Sequence, residues 1–268
     1  MAKKLDSFLY VCLYVALYMA ARAISAVFMP LMSAVKLFFS GERSFTYLVN
    51  YFVECLKFCR ANTLMQSIAA MLLALLFIWF VFLIRRRKIS SVLYGKKLYF
   101  REVASAILIS FALSAVAALV MKIPFPSGIF EAYEGHMSYG QYQNFFGMLL
   151  VSGIIAPIFE EIFFRGVIYS EARKSGGFLY SNLLQSLVFG ILHLNIIQGF
   201  YAFFVGFSLG CVLNIRKSIY LCMLIHILFN LSNLLFGGYI SAVSGTPYFI
   251  CCGIVAMIIG FLLLIRRK

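Results

Sequence analysis

Apolar runs of about 20 residues, long enough to cross a bilayer, recur along this chain and constrain its fold more than any single motif. Backbone at membrane depth must satisfy its own hydrogen bonds, so runs of this kind fold as helices. Hydrophobic residues make up 63% of the 268 positions and charged ones only 12%, with a mean hydropathy of +0.97, which excludes a soluble domain of ordinary composition. The expected fold is all-α: a polytopic membrane protein with about eight transmembrane helices and an interfacial amphipathic helix.

In chain order the expected spans are 5–28, 64–84, 103–120, 144–169, 179–194, 199–213, 219–236 and 247–265. Pro30 marks the end of the first, and Arg22 lies close enough to that end to snorkel to the interface. No convincing small-residue cleavage site follows Lys3 and Lys4, so the first run reads as a retained span and not as a signal peptide. Between Leu31 and Arg60, Phe45, Leu48, Phe52, Leu56 and Cys59 recur at helical spacing among Glu42, Arg43, Glu54, Lys57 and Arg60, the pattern of a helix lying on the membrane. The stretch from Lys122 to Gln143, with Pro124, Pro126, Glu131 and Glu134, reads as an external loop. Three regions result: 1–143, an N-terminal transmembrane part with the amphipathic segment and external loop; 144–236, a helical core; and 237–268, a last transmembrane helix.

The formal charge of +14 would suggest nucleic acid in a soluble protein, but topology accounts for it. With Arg22 and Arg165 left in the membrane and the N-terminus in the cytoplasm, sixteen of the remaining Lys and Arg fall on inner segments and five outside. Both termini are then cytoplasmic, in a multi-pass cell-membrane protein with no nucleic-acid partner. The seven cysteines lie mostly in apolar runs without CxxC pairing and read as small core residues.

Against this background one stretch is anomalous. Pro157-Ile158-Phe159-Glu160-Glu161-Ile162-Phe163-Phe164-Arg165-Gly166 places two carboxylates and a guanidinium in an apolar helix, where each isolated charge costs roughly 2.5 to 3.5 kcal/mol. Glu161 and Arg165 stand four apart with the acid N-terminal, the favoured order for an ion pair, while Glu160 is rotated away. The plain alternative is that all three anchor a helix end. Two further spans carry polar groups at one-turn spacing, Phe189 with His193 and His226 with Asn230.

Counting at about 1.5 Å per residue, Glu160 lies about 20 Å along its helix from Arg173, and His226 and Asn230 about 14 and 20 Å from Lys217. His193 lands deeper, about 25 Å from Gly176, so its span must start late, tilt or dip.

Asp6 is the lone aspartate, which excludes a pair of facing aspartates; HExxH does not occur, and nothing like GxSxG surrounds Ser152-Gly153. Two chemistries remain open. In one, Glu160 deprotonates a water shared with His193, and His226 and Asn230 donate to a developing oxyanion. In the other, Glu160, His193 and His226 ligate a divalent metal such as zinc, with Asn230 beside its water. An ion-coupled transporter using the same groups as a relay would be expected to show paired halves, and the Glu-Glu motif has no internal repeat.

Glu160-Glu161-x-x-x-Arg165-Gly166, Phe189-x-x-x-His193 and His226-x-x-x-Asn230, in that order on three apolar helices, resemble the CAAX prenyl protease and bacteriocin-processing family (CPBP, or ABI) of intramembrane endopeptidases. The resemblance spans about residues 144 to 236 and substitutes no motif position. It implies that Glu160 is the general base, that His193 helps to activate water, and that His226 and Asn230 form the oxyanion site. Glu161 and Arg165 then organise the centre. It further implies a peptide or protein substrate, lipidated or hydrophobic, and either a metal-dependent or a metal-free mechanism. A non-catalytic scaffold, regulator or self-immunity protein of the same family is the competing expectation.

Overall fold

A computed structural model describes residues 2–40, 46, 49, 50, 53, 62–95, 97–138, 144–244 and 246–265. All regular structure among them is helical, and the protein is an all-α, multi-pass membrane protein. The helices are α1 (Ala2–Ser40), α2 (Thr63–Ile84), α3 (Phe100–Val120), α4 (Ser127–Ser138), α5 (Phe145–Ala172), α6 (Phe178–Ile191), α7 (Ile196–Arg216), α8 (Ile219–Val243) and α9 (Pro247–Ile265).

Seven of these, all but α4 and α6, are long and apolar enough to cross a membrane, α1 through its Leu5–Phe28 part. The expected fifth span is the exception. Its helix α6 has only 14 residues, about 21 Å at the helical rise, and ends before His193. Among the described residues there are therefore seven helices long and apolar enough to span, with one short helix at the expected fifth span. Two other expectations are corrected. α1 continues through Pro30 to Ser40, and the stretch 122–143, expected as a loop, folds in part into α4. A membrane helix tolerates an internal proline where neighbouring groups take up the freed carbonyl. The expected interfacial helix lies, beyond Ser40, almost wholly outside the described residues.

Local chemistry sets several helix ends. Asn144 and Asn195 accept hydrogen bonds from Phe146 N and Gln198 N at 3.0 Å, capping α5 and α7. Glu102 reaches back to Tyr99 N at 2.8 Å at the start of α3. Its other oxygen pairs with Arg216 at the end of α7.

α5 runs through the centre of the bundle and packs on α1, α6 and α8, while α3 is sandwiched between α8 and α9. α6 and α7 form a hairpin that requires glycine at its crossing: a Cβ on Gly190 would stand 2.6 Å from the Gly199 carbonyl oxygen, and one on Gly199 2.7 Å from that of Gly190. The buried core joins Phe163, Phe164 and Val167 of α5 to Phe189 of α6, Leu209 of α7 and Ile225 of α8. The cysteines depart from expectation: Cys222 is buried and Cys211 half-buried, but Cys12, Cys251 and Cys252 are exposed on helix faces where lipid would lie.

At the end of α5, the buried carboxylate of Glu171 receives Arg85 at 3.0 Å, Arg87 at 2.8 Å and Lys174 at 2.8 Å. Arg85 also bonds the Tyr14 hydroxyl and stacks over the Tyr10 ring at 3.4 Å. Burial opposes the Arg85 cation, but its hydrogen bonds to Glu171 and Tyr14 outweigh this and raise its pKa. The basic cluster after α2 thus ties α1 and α2 to the central helix.

Candidate active site

The site begins with a change of helical winding in α5. Val151–Ile155 and Glu161–Tyr169 are π-helical, flanking an α-helical turn from Ala156 to Glu160. π segments inside helices are rare and are found disproportionately at functional positions. Glu160 and Glu161 therefore sit at the junction of two windings.

Glu161 and Arg165 form the expected pair, Oε1 to Nη1 at 2.8 Å, with both side chains fully excluded from solvent. They do not anchor a helix end. Arg165 also donates from Nη2 to the Gly206 carbonyl of α7 at 3.2 Å and lies 4.9 Å over the Phe189 ring. Gln185 of α6 donates to the same carbonyl at 2.9 Å. Without these partners a buried guanidinium would be severely destabilising.

The other oxygen partner of the pair is unexpected. His226 of α8 places Nδ1 2.7 Å from Glu161 Oε1 and Nε2 3.6 Å from Glu160 Oε2. A carboxylate accepts, so Nδ1 carries a proton and the Nε2 edge faces Glu160. Arg165, Glu161 and His226 form a continuous chain of charge-assisted contacts ending at Glu160, whose side chain is 20% exposed. Glu160 is the carboxylate left open to an incoming group.

His193 lies just beyond α6, in the turn to α7. Its Nδ1 donates to the Phe189 carbonyl at 2.7 Å, which leaves Nε2 as the free nitrogen of the neutral ring. Its ring stands edge-on to Phe189 at 4.8 Å, and its electrostatic neighbours are Glu160, His226 and Arg22. The depth conflict has a physical resolution: α6 is short, and His193 is carried by a turn in which Leu194 adopts φ 56°. Asn230, one turn beyond His226, donates through Nδ2 to the Ser152 carbonyl at 2.8 Å. One of its two amide hydrogens is therefore committed to the first π segment.

Glu160, His193 and His226 are thus brought together, with Glu161 and Arg165 behind them and Asn230 at the margin. Among the described residues no three His, Cys, Asp or Glu side chains come close enough to form a metal-ligand group.

Two residues of the neighbourhood were not among the expected ones. Tyr18 of α1 lies 5.6 and 5.0 Å from the Phe159 and Phe163 rings, and Arg22 donates from Nη1 to the Leu192 carbonyl at 2.9 Å. Arg22 is accordingly not a snorkelling residue; it is turned inward. The one available signal was a lone arginine inside an apolar run.

The geometry can be set beside known proteins. Residues 142–232 match the family described as type II CAAX prenyl endopeptidase Rce1-like. Over 83 residues the chain is 30% identical to the Bacillus subtilis (strain 168) protein named "Putative membrane peptidase YdiL", which is 31% of this chain and 34% of that protein. The chain thus spans about a third of the length of that curated relative. No solved structure matches.

Proposed function

We propose that this chain is an intramembrane endopeptidase of the CAAX-protease-like type, hydrolysing a peptide bond with a water activated by Glu160 and His193; the similarity of residues 142–232 to the type II CAAX prenyl endopeptidase Rce1-like family supports this reading. The observation that carries this reading is the Arg165–Glu161–His226 chain, which neutralises and orients one carboxylate while leaving Glu160 open beside two imidazoles.

In this mechanism a water is held between Glu160 and Nε2 of His193. Glu160 takes its proton as the water oxygen attacks the scissile carbonyl carbon. The resulting oxyanion accepts a hydrogen bond from the Nε2 edge of His226, in its doubly protonated form, and from the uncommitted amide hydrogen of Asn230. As the tetrahedral adduct collapses, the proton on Glu160 passes to the departing amine. Glu161 does not react: it fixes the His226 ring and is itself held by Arg165.

The substrate we assign is a hydrophobic or lipidated peptide segment. An apolar groove of about 570 Å³ runs along the α6–α7 hairpin, lined by Leu187, Ile191, Leu194, Phe200 and Phe204, and adjoins the turn that carries His193. The proposed setting is the cell membrane with both termini cytoplasmic, consistent with the basic residues on inner segments.

Comparative peptidomics of cells carrying the intact gene or Glu160→Gln tests this reading. The intact protein should yield cleavage products that are missing with the variant at equal protein level. Identical peptide profiles would leave the scaffold or immunity role in its place.

A further inference from the structure

Arg85, Arg87, Arg165 and Arg216, the other inward-turned arginines, each hold a glutamate. Arg22 does not: among the described residues no carboxylate lies within ion-pairing distance of it. It sits in the membrane-spanning part of α1, where an unneutralised charge is expensive and seldom kept without a task. Its hydrogen-bond partner is the Leu192 carbonyl, at the C-terminal end of α6 and immediately before His193. Its guanidinium also lies 5.8 Å over the Tyr18 ring. Tyr18 in turn packs on Phe159 and Phe163, which bracket the two glutamates.

We propose that Arg22 and Tyr18, contributed by a helix outside the family-matched segment, are positioning residues of the hydrolytic site. Arg22 holds the turn that presents His193 and supplies a cation that no carboxylate pairs with among the described residues. This rests on the hydrolytic reading above. The groups that face Arg22 are Tyr18 on its own helix, Glu160 on α5 and His193 at the hairpin turn, with His226 of α8 behind them; Glu160 and Arg22 both act electrostatically on Tyr18 and on His193.

A plain helix cap is the simpler role for an arginine on a terminal carbonyl. A cap alone, however, requires a donor and not a charge. The distinction is measurable. A cation beside the site favours proton loss from any group within reach, so its removal moves the acid limb of the activity profile to higher pH. Loss of the turn's register lowers turnover more than substrate affinity, because most of the apolar groove is lined by α6 and α7 and only Leu194 and Asn195 belong to the turn.

The test uses the full chain in proteoliposomes and a fluorogenic farnesylated peptide as probe. Arg22→Gln should lower kcat by about tenfold or more, keep KM within about twofold and move the acid limb upward, while Arg22→Lys recovers most of kcat and the original limb. A wild-type kcat in Arg22→Gln would overturn the proposal, and so would equal losses in both variants with an unmoved limb. If the parent shows no Glu160-dependent cleavage of the probe, the hydrolytic reading fails and hydrogen exchange decides the rest. Amides of residues 193–195 should then exchange about tenfold faster in Arg22→Gln than in the parent; unchanged exchange overturns the positioning role as well.

Discussion

Glu161 is the residue on which the site turns, because one oxygen serves both Arg165 and His226 at 2.8 and 2.7 Å. The four-residue spacing with Arg165 was legible in the sequence; the bond to His226 was not, since it depends on how far α8 is rotated and how α5 is wound. For the same reason the sequence offered His226 as an oxyanion donor or a metal ligand, without the carboxylate that orients it. Arg165→Ala should lower the stability of the purified protein by about 3 to 5 kcal/mol, because it leaves a buried carboxylate without its counter-charge. Denaturation in detergent and membrane yield both measure this. His226→Ala should abolish product formation with a smaller effect on yield, as Glu161 keeps its guanidinium partner. Normal turnover in that variant would remove His226 from the mechanism.

At the scale of elements, the α6–α7 hairpin and the two π segments of α5 decide where the groups meet. Neither was readable from periodicity. A 16-residue apolar stretch such as 179–194 resembles a span by composition, and the depth of His193 was the sole sign that it was too short. The hairpin depends on a close crossing in which Gly190 and Gly199 each abut the other's carbonyl. Gly199→Ala places a methyl where backbone already stands and should destabilise the protein by about 1 to 3 kcal/mol, with loss of turnover as the His193 turn shifts. Gly128→Ala in α4, where nothing lies within 4 Å of the new Cβ, serves as the control and should melt within about 1 kcal/mol of the parent. Equal melting of the two variants would show that the crossing is looser than described.

For the whole molecule, the apolar runs specified the fold class and seven of the spans to within a few residues at most ends. Charge asymmetry supplied the proposed orientation. Impermeant maleimide should label a cysteine at exposed Lys88 from the cytoplasmic side and one at exposed Gly128 from outside; the reverse pattern would invert the topology. What composition could not convey is the use of α1 and the basic cluster after α2 as part of the scaffold. Glu171 draws Arg85 and Arg87 onto the end of α5, and Arg22 reaches across to the hairpin turn. The assembly brings Glu160, His193 and His226 from separate segments to one buried neighbourhood, and hydrolysis there is the central claim. Its most direct test is the rate of product formation by purified protein in proteoliposomes, parent against Glu160→Gln, with folding of the variant verified by its melting. The account predicts a loss of about 10²- to 10⁴-fold with melting unchanged; turnover by the variant at a rate close to the parent's would contradict it.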